Sequence, residues 1–548
     1  MAKIKFSRDE FEKKVKITKE IEEKISMFGT PFEGMNGDEV EIEVFPNRPD
    51  MLSLYGYLRA FEAFLGKKGK TGMTEYKISK SNYKMTVDKN IPGEWPFALA
   101  CVVKGLKLDD AKIKDIIQLQ EKLTGTMLRD RRKGGLGVYP LNKLKFPIKF
   151  EGRKSEEIIF RPLEMNDYIT AGKILSLHPT GRRYADICEG WERFPVFVDA
   201  NDVIMSMPPI INSHDVGRVG LATKDLFIEA TGTDKDILQK ALNILATSLA
   251  EMGGTIYSVE CIQKDGSKSM QPNLENANMK LGKDSVEEVL GIKLSEKEIS
   301  EYLGRMGLDY DSKTRNVAVP AWRCDIIHEY DLVEDIAIAH GYDKFDAAIP
   351  TDDSSTGNES RKSKFSRKIA EILSGIGALE VSTYYLHRKS DLENVRGRSP
   401  FEVKESKTDY KFLRGNLSTN ILRIMSENVD SEYPQAIFEV GDVFVKDKKK
   451  SDTGVGEKRK IGFAVSPGNF TEVKQVLDYL MRMLGISYNL EAHKRKILIN
   501  GRTARILVRG KPCGFIGEVH PGILKNLRMK TSVGLFEINV KDLFLALK

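Results

Sequence analysis

Trp322-Arg323-Cys324-Asp325-Ile326-Ile327-His328-Glu329-Tyr330-Asp331-Leu332-Val333-Glu334-Asp335-Ile336-Ala337-Ile338-Ala339-His340-Gly341-Tyr342-Asp343-Lys344-Phe345 is the stretch whose reading decides the organisation of this chain. It reads as an extended segment entering a helix that ends at Gly341, and it carries carboxylates at Asp325, Asp331, Glu334 and Asp335. A helix brings positions i, i+3 and i+4 onto one face, so Asp331, Glu334 and Asp335 point the same way and their mutual repulsion favours a cation. All-oxygen ligands suit magnesium or calcium, not zinc. The spacing has a second reading: Asp331 and Glu334 stand as a capping box stands, and the helix dipole favours carboxylates at a helix start without any ion.

An earlier stretch has the same layout. The alternating strand Val40-Glu41-Ile42-Glu43-Val44 leads to Pro46-Asn47-Arg48-Pro49-Asp50 and then to an apolar helix ending at Gly66. Around the later motif, Val317-Ala318-Val319-Pro320 precedes Arg323-Cys324-Asp325. Shifting one stretch by 275 residues places Arg48 on Arg323, Asp50 on Asp325, Tyr55 on Tyr330 and Gly66 on Gly341, four identities in nineteen positions. Chance supplies about one, so a small domain is read as duplicated. The Arg-x-Asp turn is common to both copies and suits a structural role. Asp331, Glu334 and Asp335 fall on Gly56, Arg59 and Ala60, so the acidic cluster is peculiar to the second copy and suits a function.

The chain has 548 residues, enough for roughly three to four domains. With 41% hydrophobic and 30% charged residues it has the make-up of an ordered globular protein. Its N-terminus lacks an apolar signal region and no uncharged run is long enough to span a bilayer, which points to the cytoplasm. The cysteines at 101, 188, 261, 324 and 513 form no Cys-x-x-Cys pair, so neither zinc nor a disulfide framework is indicated. A net charge of +7 permits an RNA partner without requiring one. The basic runs are Arg129 to Lys133, Arg361 to Lys364, and Lys446 to Lys460, the last read as a solvated hairpin loop.

Between the two copies, Ala98 to Val103 and Pro195 to Val198 read as buried strands, and Met205 to Ser213 as a strand broken by a proline pair. Asp234 reads as the N-cap of an amphipathic helix stopped by Gly253-Gly254. Residues 351 to 363 have the polar composition of a linker. Beyond it come a helix at about 365 to 376, strands around Ala436 to Val440 and Ile461 to Val465, a helix at 471 to 484, and strands near 504 and 534.

Six motifs in order, Pro46 to Ser53, His178 to Arg182, Met205 to Ser213, Phe227 to Gly232, Arg323 to Tyr342 and Phe438 to Phe444, resemble the phenylalanyl-tRNA synthetase beta subunits of archaeal and eukaryotic type. The resemblance implies an α+β multidomain fold: two related small α/β domains flank a mixed α+β editing domain, followed by a class II synthetase-like antiparallel-sheet domain without synthetic activity. The corresponding ranges are 1–89, 90–268, 269–347, a linker at 348–363, and 364–548.

The resemblance also implies a Mg2+ site at Asp325, Asp331, Glu334 and Asp335, shared with an alpha subunit that binds ATP, and an α2β2 ligase charging tRNA(Phe) with phenylalanine. It places hydrolysis of mischarged tyrosyl-tRNA at Ser206, Glu229 and Thr231. Hydroxyls on strands often only satisfy neighbouring backbone, and a lone Glu on a strand is usually solvent-facing. His178 reads as a loop or core histidine. Arg129, Arg131, Arg132, Lys133, Arg182 and Arg183 suit tRNA phosphates, although solvation alone accounts for them too. No Gly-x-Gly-x-Gly-Arg strand is found in the last domain, which argues against a self-sufficient ligase. Arg414 there reads as structural. The alternative is a free-standing tRNA-binding or structural protein built from the same domains.

Overall fold

Alternation of apolar and charged residues builds the first sheet, in which Ile4 and Phe6 of Ala2–Ser7 and Val40, Ile42 and Val44 of Glu39–Val44 all turn inward. The computed structural model describes residues 2–69, 72–347, 349, 357–397, 399–404, 406–447 and 453–547. They divide into two units, Met1–Ala348 and Ile349–Lys548.

The duplicated frame is visible strand by strand. In the first copy, Ala2–Ser7 is followed by helices Arg8–Glu12 and Lys19–Met27, and then by the hairpin Phe32–Asn36 and Glu39–Val44. In the second, Ala277–Lys280 is followed by helices Ser285–Leu290 and Glu296–Arg305, and then by the hairpin Asp309–Asp311 and Asn316–Val319. Both sheets are antiparallel with the last strand in the middle. Both continue through the Arg-x-Asp turn into a helix, Leu54–Phe64 or Glu329–His340. Ser53 and His328, 275 residues apart, are the two N-caps.

Between the copies lies a ten-stranded sheet among the described residues, in the order Ile211–Asn212, Ile204–Met207, Phe194–Val198, Ile148–Arg153, Ile78–Val87, Thr255–Ile262, Phe97–Lys104, Leu226–Gly232, Gly134–Pro140, with Lys268–Gln271 paired on Thr255–Ile262. Ile78–Val87, within the range 1–89 expected for the first small domain, is a member of this sheet. Helix Lys235–Glu251 is capped by Asp234, whose side chain accepts from the Asp236 and Ile237 amides, and it stops ahead of Gly253, where φ is +100°. Its apolar face covers Ile228 and Ala230 of Leu226–Gly232. The opposite face of that strand carries Glu229 and Thr231.

The second unit is a seven-stranded sheet among the described residues, in the order Leu379–Glu380, Gln435–Lys446, Val455–Ser466, Gly534–Asn539, Lys511–Val519, Leu498–Val508, Tyr488–Ala492. Only the pairing of Leu379–Glu380 with Gln435–Lys446 is parallel. Period-two alternation sorts its core: Phe438, Phe463, Ile516 and Phe536 pack under helices Arg361–Gly375 and Phe470–Leu484, while Ile437, Ala464, Phe515 and Leu535 pack under Ser418–Glu427. The helix placed at 365 to 376 begins at Arg361, because the Ser360 hydroxyl accepts from the Ser363 amide and caps it there, so 361–363 are not linker. Of that linker, 351–356 lie outside the described residues. The Lys446 to Lys460 run is a hairpin, with Lys446 opposite Val455, and its residues 448–452 lie outside the described ones.

Candidate functional site

Glycines opposite polar side chains open a cavity in the middle sheet. Thr231 lies opposite Gly135 and Glu229 opposite Gly137 across the ladder between Leu226–Gly232 and Gly134–Pro140. A side-chain carbon at 137 would sit 2.2 Å from Glu229 Oε1, so only glycine leaves room for that carboxyl. Two residues on, on the same face, the Tyr139 hydroxyl lies 3.2 Å from Glu229 Oε1 and 3.2 Å from Asn212 Oδ1. Asn212 belongs to the strand at the other end of the sheet order, so the sheet bends until its first and last strands meet across Tyr139. Ser206, opposite Asn212 in register, lies beside the same phenol.

The cavity has a volume of about 690 Å³, and Glu229, Gly135, Asn212, His178 and Arg131 are among its walls. Ser206, Glu229 and Thr231 are all buried; among the described residues Glu229 Oε2 and Thr231 Oγ1 have no hydrogen-bond partner, and Ser206 Oγ lies beside the Tyr139 hydroxyl. An unsatisfied buried polar atom costs about 1–3 kcal/mol, which a hydrogen-bonding ligand would recover. Burial raises the Glu229 carboxyl to about 8, against the pull of its hydrogen bond with Tyr139. Burial likewise holds the Tyr139 phenol well above its ordinary range.

The basic residues divide by what they touch. Arg129, Asp130 and Arg131 all have positive φ, a left-handed turn of three side-chain-bearing residues. It carries Arg131 Nη1 to the carbonyls of Pro209, at 2.8 Å, and Ile210, at 2.7 Å, and lays the guanidinium over Tyr184 at 4.6 Å. Arg131 therefore holds the cavity wall. Arg129, Arg132, Arg182 and Arg183 are exposed and Lys133 is half-buried; Arg132 pairs with Asp186 at 2.8 Å and Arg183 with Asp130 at 3.5 Å. His178 is a buried cap: its Nδ1 accepts from the Thr180 amide at 3.1 Å, and its Nε2 lies 3.0 Å from the Leu163 carbonyl.

The acidic stretch does not converge. Arg323 Nη2 lies 2.7 Å from Asp325 Oδ2 and 2.7 Å from Asp335 Oδ2. Asp331 Oδ2 accepts from the amides of Ile327, at 2.8 Å, and His328, at 2.7 Å. The capping box thus pairs His328 with Asp331, one turn before the Asp331–Glu334 pair that spacing suggests. Glu334 is exposed. Among the described residues no three His, Cys, Asp or Glu side chains group to hold a metal ion. The four carboxylates expected to hold Mg2+ are thus not gathered around one point, and the Arg323 guanidinium lies between Asp325 and Asp335. Burial works to raise both carboxyls; the arginine holds Asp325 low, while Asp335, which also feels Asp325, stays high.

In the second unit Arg414 is buried and committed: Nη1 donates to Glu439 Oε1 at 2.7 Å and Thr383 Oγ1 at 2.9 Å, Nε donates to the Asp442 carbonyl at 2.7 Å, and Tyr385 lies under the guanidinium at 4.6 Å. Its role is structural. Tyr139 and Asn212 were not singled out from the sequence, although the glycines at 134, 135 and 137 signal a close approach to that strand.

Comparison with known proteins agrees with this architecture. Residues 279–342 match the tRNA synthetase B5 domain and residues 346–540 the phenylalanyl tRNA synthetase beta chain CLM domain. These define the class, an aminoacyl-tRNA synthetase chain. Phenylalanine–tRNA ligase beta subunits of Archaeoglobus fulgidus and Methanosarcina barkeri are 35% and 34% identical, covering 95% and 99% of this chain and 94% and 99% of their own. The crystal structure of an N-terminal fragment of the phenylalanyl-tRNA synthetase beta subunit from Pyrococcus horikoshii is 31% identical with a TM-score of 0.59, covering 62% of this chain and 99% of the fragment. The chain belongs to the phenylalanine–tRNA ligase beta subunit family and is an aminoacyl-tRNA ligase subunit of protein biosynthesis. Among the described residues, no helix is long and apolar enough to cross a membrane.

Proposed function

We propose that the chain works in the cytoplasm as the non-synthetic, editing-competent subunit of an α2β2 ligase. The alpha subunit binds ATP and Mg2+, activates phenylalanine and charges tRNA(Phe); this chain completes the assembly and removes tyrosine attached in error. The observation that carries the hydrolytic role is Glu229 on the wall of the cavity, its buried Oε2 without a hydrogen-bond partner among the described residues, with Ser206 and Thr231 buried on strands beside it.

The chemistry follows from the difference between the two amino acids. An apolar pocket rejects an added hydroxyl only about a hundredfold, whereas a site built to bond that hydroxyl discriminates against the analogue lacking it by about 10⁴–10⁵. Glu229 accepts a hydrogen bond from the tyrosyl phenol, which phenylalanine cannot offer. Ser206 and Thr231 position a water against the ester carbonyl; the acyl–oxygen bond breaks, and free tyrosine leaves with the ribose hydroxyl restored on the tRNA. The exposed Arg129, Arg132, Arg182 and Arg183, with Lys133, meet the phosphates of the acceptor end.

The test of the assembly is purification of the chain alone and with a catalytic alpha chain. Alone it forms no aminoacyl-adenylate, and together the two charge tRNA(Phe). Adenylate formation by the chain alone would overturn the reading.

A further inference from the structure

The Tyr139 hydroxyl has one proton and two acceptors. Glu229 Oε1 and Asn212 Oδ1 each lie 3.2 Å from it, and it can donate to only one of them. With the Asn212 oxygen turned to the phenol, an ionised Glu229 would leave one acceptor facing it without a hydrogen between them, and it would also be a buried charge with no cation bonded to it among the described residues. If Glu229 carries a proton the chain of bonds closes. We propose that Tyr139 is the positioning residue that locks a neutral Glu229: the carboxyl donates from Oε1 to the phenol oxygen, the phenol donates to Asn212 Oδ1, and Oε2 remains as an acceptor for a substrate hydroxyl.

The surroundings agree with this assignment. Glu229 is 2% exposed, and among the described residues no cation bonds it. The other titratable or charged groups on the cavity wall are His178, His214, Arg131, Arg218, Glu121 and Glu164. Of these, His178 is held by Thr180 and Leu163, and Arg131 by the Pro209 and Ile210 carbonyls. Gly137 leaves no side chain that could push the carboxyl off the phenol. Burial, which favours the neutral form, acts in the same direction.

A neutral carboxylic acid suits the selection of tyrosine. Its free oxygen accepts from a phenol, and the site need not bury a full negative charge each time it empties. The assignment rests on the editing reading for the identity of the substrate, but not for the proton.

The test uses the assembled ligase. Isotope-edited infrared difference spectra of wild type against Glu229→Gln, recorded without tRNA, show a protonated carboxyl stretch near neutral pH that disappears above about 8. In hydrolysis of tyrosyl-tRNA, Tyr139→Phe raises KM about tenfold with kcat nearly unchanged, the loss of one positioning hydrogen bond. Absence of the carboxyl band near neutral pH would overturn the proposal, as would an unshifted band and an unchanged KM in Tyr139→Phe. If wild type failed to hydrolyse tyrosyl-tRNA while the band was present, the editing reading would fall and the neutral carboxyl would stand.

Discussion

At the start of its helix the first small domain takes a carboxylate from elsewhere, whereas the second supplies its own. Asp115, on helix Asp110–Gly125, accepts from the Leu54 amide at 2.9 Å. Asp331 accepts from the amides just ahead of its own helix. The reason lies at the position they would share. Asp331 falls on Gly56, where a side-chain carbon would meet the Asp50 carbonyl oxygen at 2.2 Å. Arg59, which falls on Glu334, is buried and stacks on Trp322 of the other copy at 4.5 Å, while Glu334 is exposed. One frame thus serves two settings. The first copy is packed against helix Lys235–Glu251, with Ser53 Oγ 3.1 Å from Ser248 Oγ; the second leaves Ile327 and Tyr330 exposed.

The largest effect should come from the arginines of the two turns. Among the described residues Arg48 pairs with Asp50 alone, at 2.9 Å, whereas Arg323 holds both Asp325 and Asp335. Arg323→Met strands two buried carboxylates and should cost about 3–5 kcal/mol, with Arg48→Met at the low end of that range. Calorimetry following the transition of the first unit measures both. Equal losses would break the comparison.

Next in size is Gly56→Ala. In an ordinary helix interior this change stabilises, but here the clash with the Asp50 carbonyl should destabilise by about 1–3 kcal/mol. In the second copy Asp331→Ala loses a cap worth about 1 kcal/mol. A neutral or stabilising Gly56→Ala in the same melts would remove the explanation for the borrowed carboxylate.

The last effect is a slope with pH. Burial raises the Asp115 carboxyl to about 7, opposed by its bonds with Leu54 and Gln118. A folded value above the ordinary carboxylate value means that its contribution to stability is fully present at low pH. That contribution is lost as pH rises from about 4 towards about 7. Asp115→Asn should therefore gain stability relative to wild type between those limits, as followed by urea unfolding at a series of pH values. A parallel pH dependence in the two proteins would contradict it.

Much of this was legible in the sequence because it depends on local chemistry. The 275-residue register found the shared frame, to which the structure adds the N-cap pair Ser53 and His328, and apolar runs found part of each large sheet, Phe97–Lys104 and Phe194–Val198 in one and Gln435–Lys446 and Val455–Ser466 in the other. The partner of the acidic cluster was not legible. Helical spacing gives a common face to Asp331, Glu334 and Asp335, but not that Asp335 turns inward to Arg323 while Asp331 turns back to its own backbone. Tyr139 and Asn212 were hidden for a different reason. They meet only because strands from opposite ends of the sheet order close on each other, a long-range event with no periodic trace.

The most direct test of the account is hydrolysis of tyrosyl-tRNA(Phe) and phenylalanyl-tRNA(Phe) by the assembled ligase, wild type against Glu229→Ala. Wild type should release tyrosine rapidly and phenylalanine little, and the variant should lose tyrosine release while charging with phenylalanine is retained. Equal hydrolysis of tyrosyl-tRNA by wild type and Glu229→Ala would contradict it.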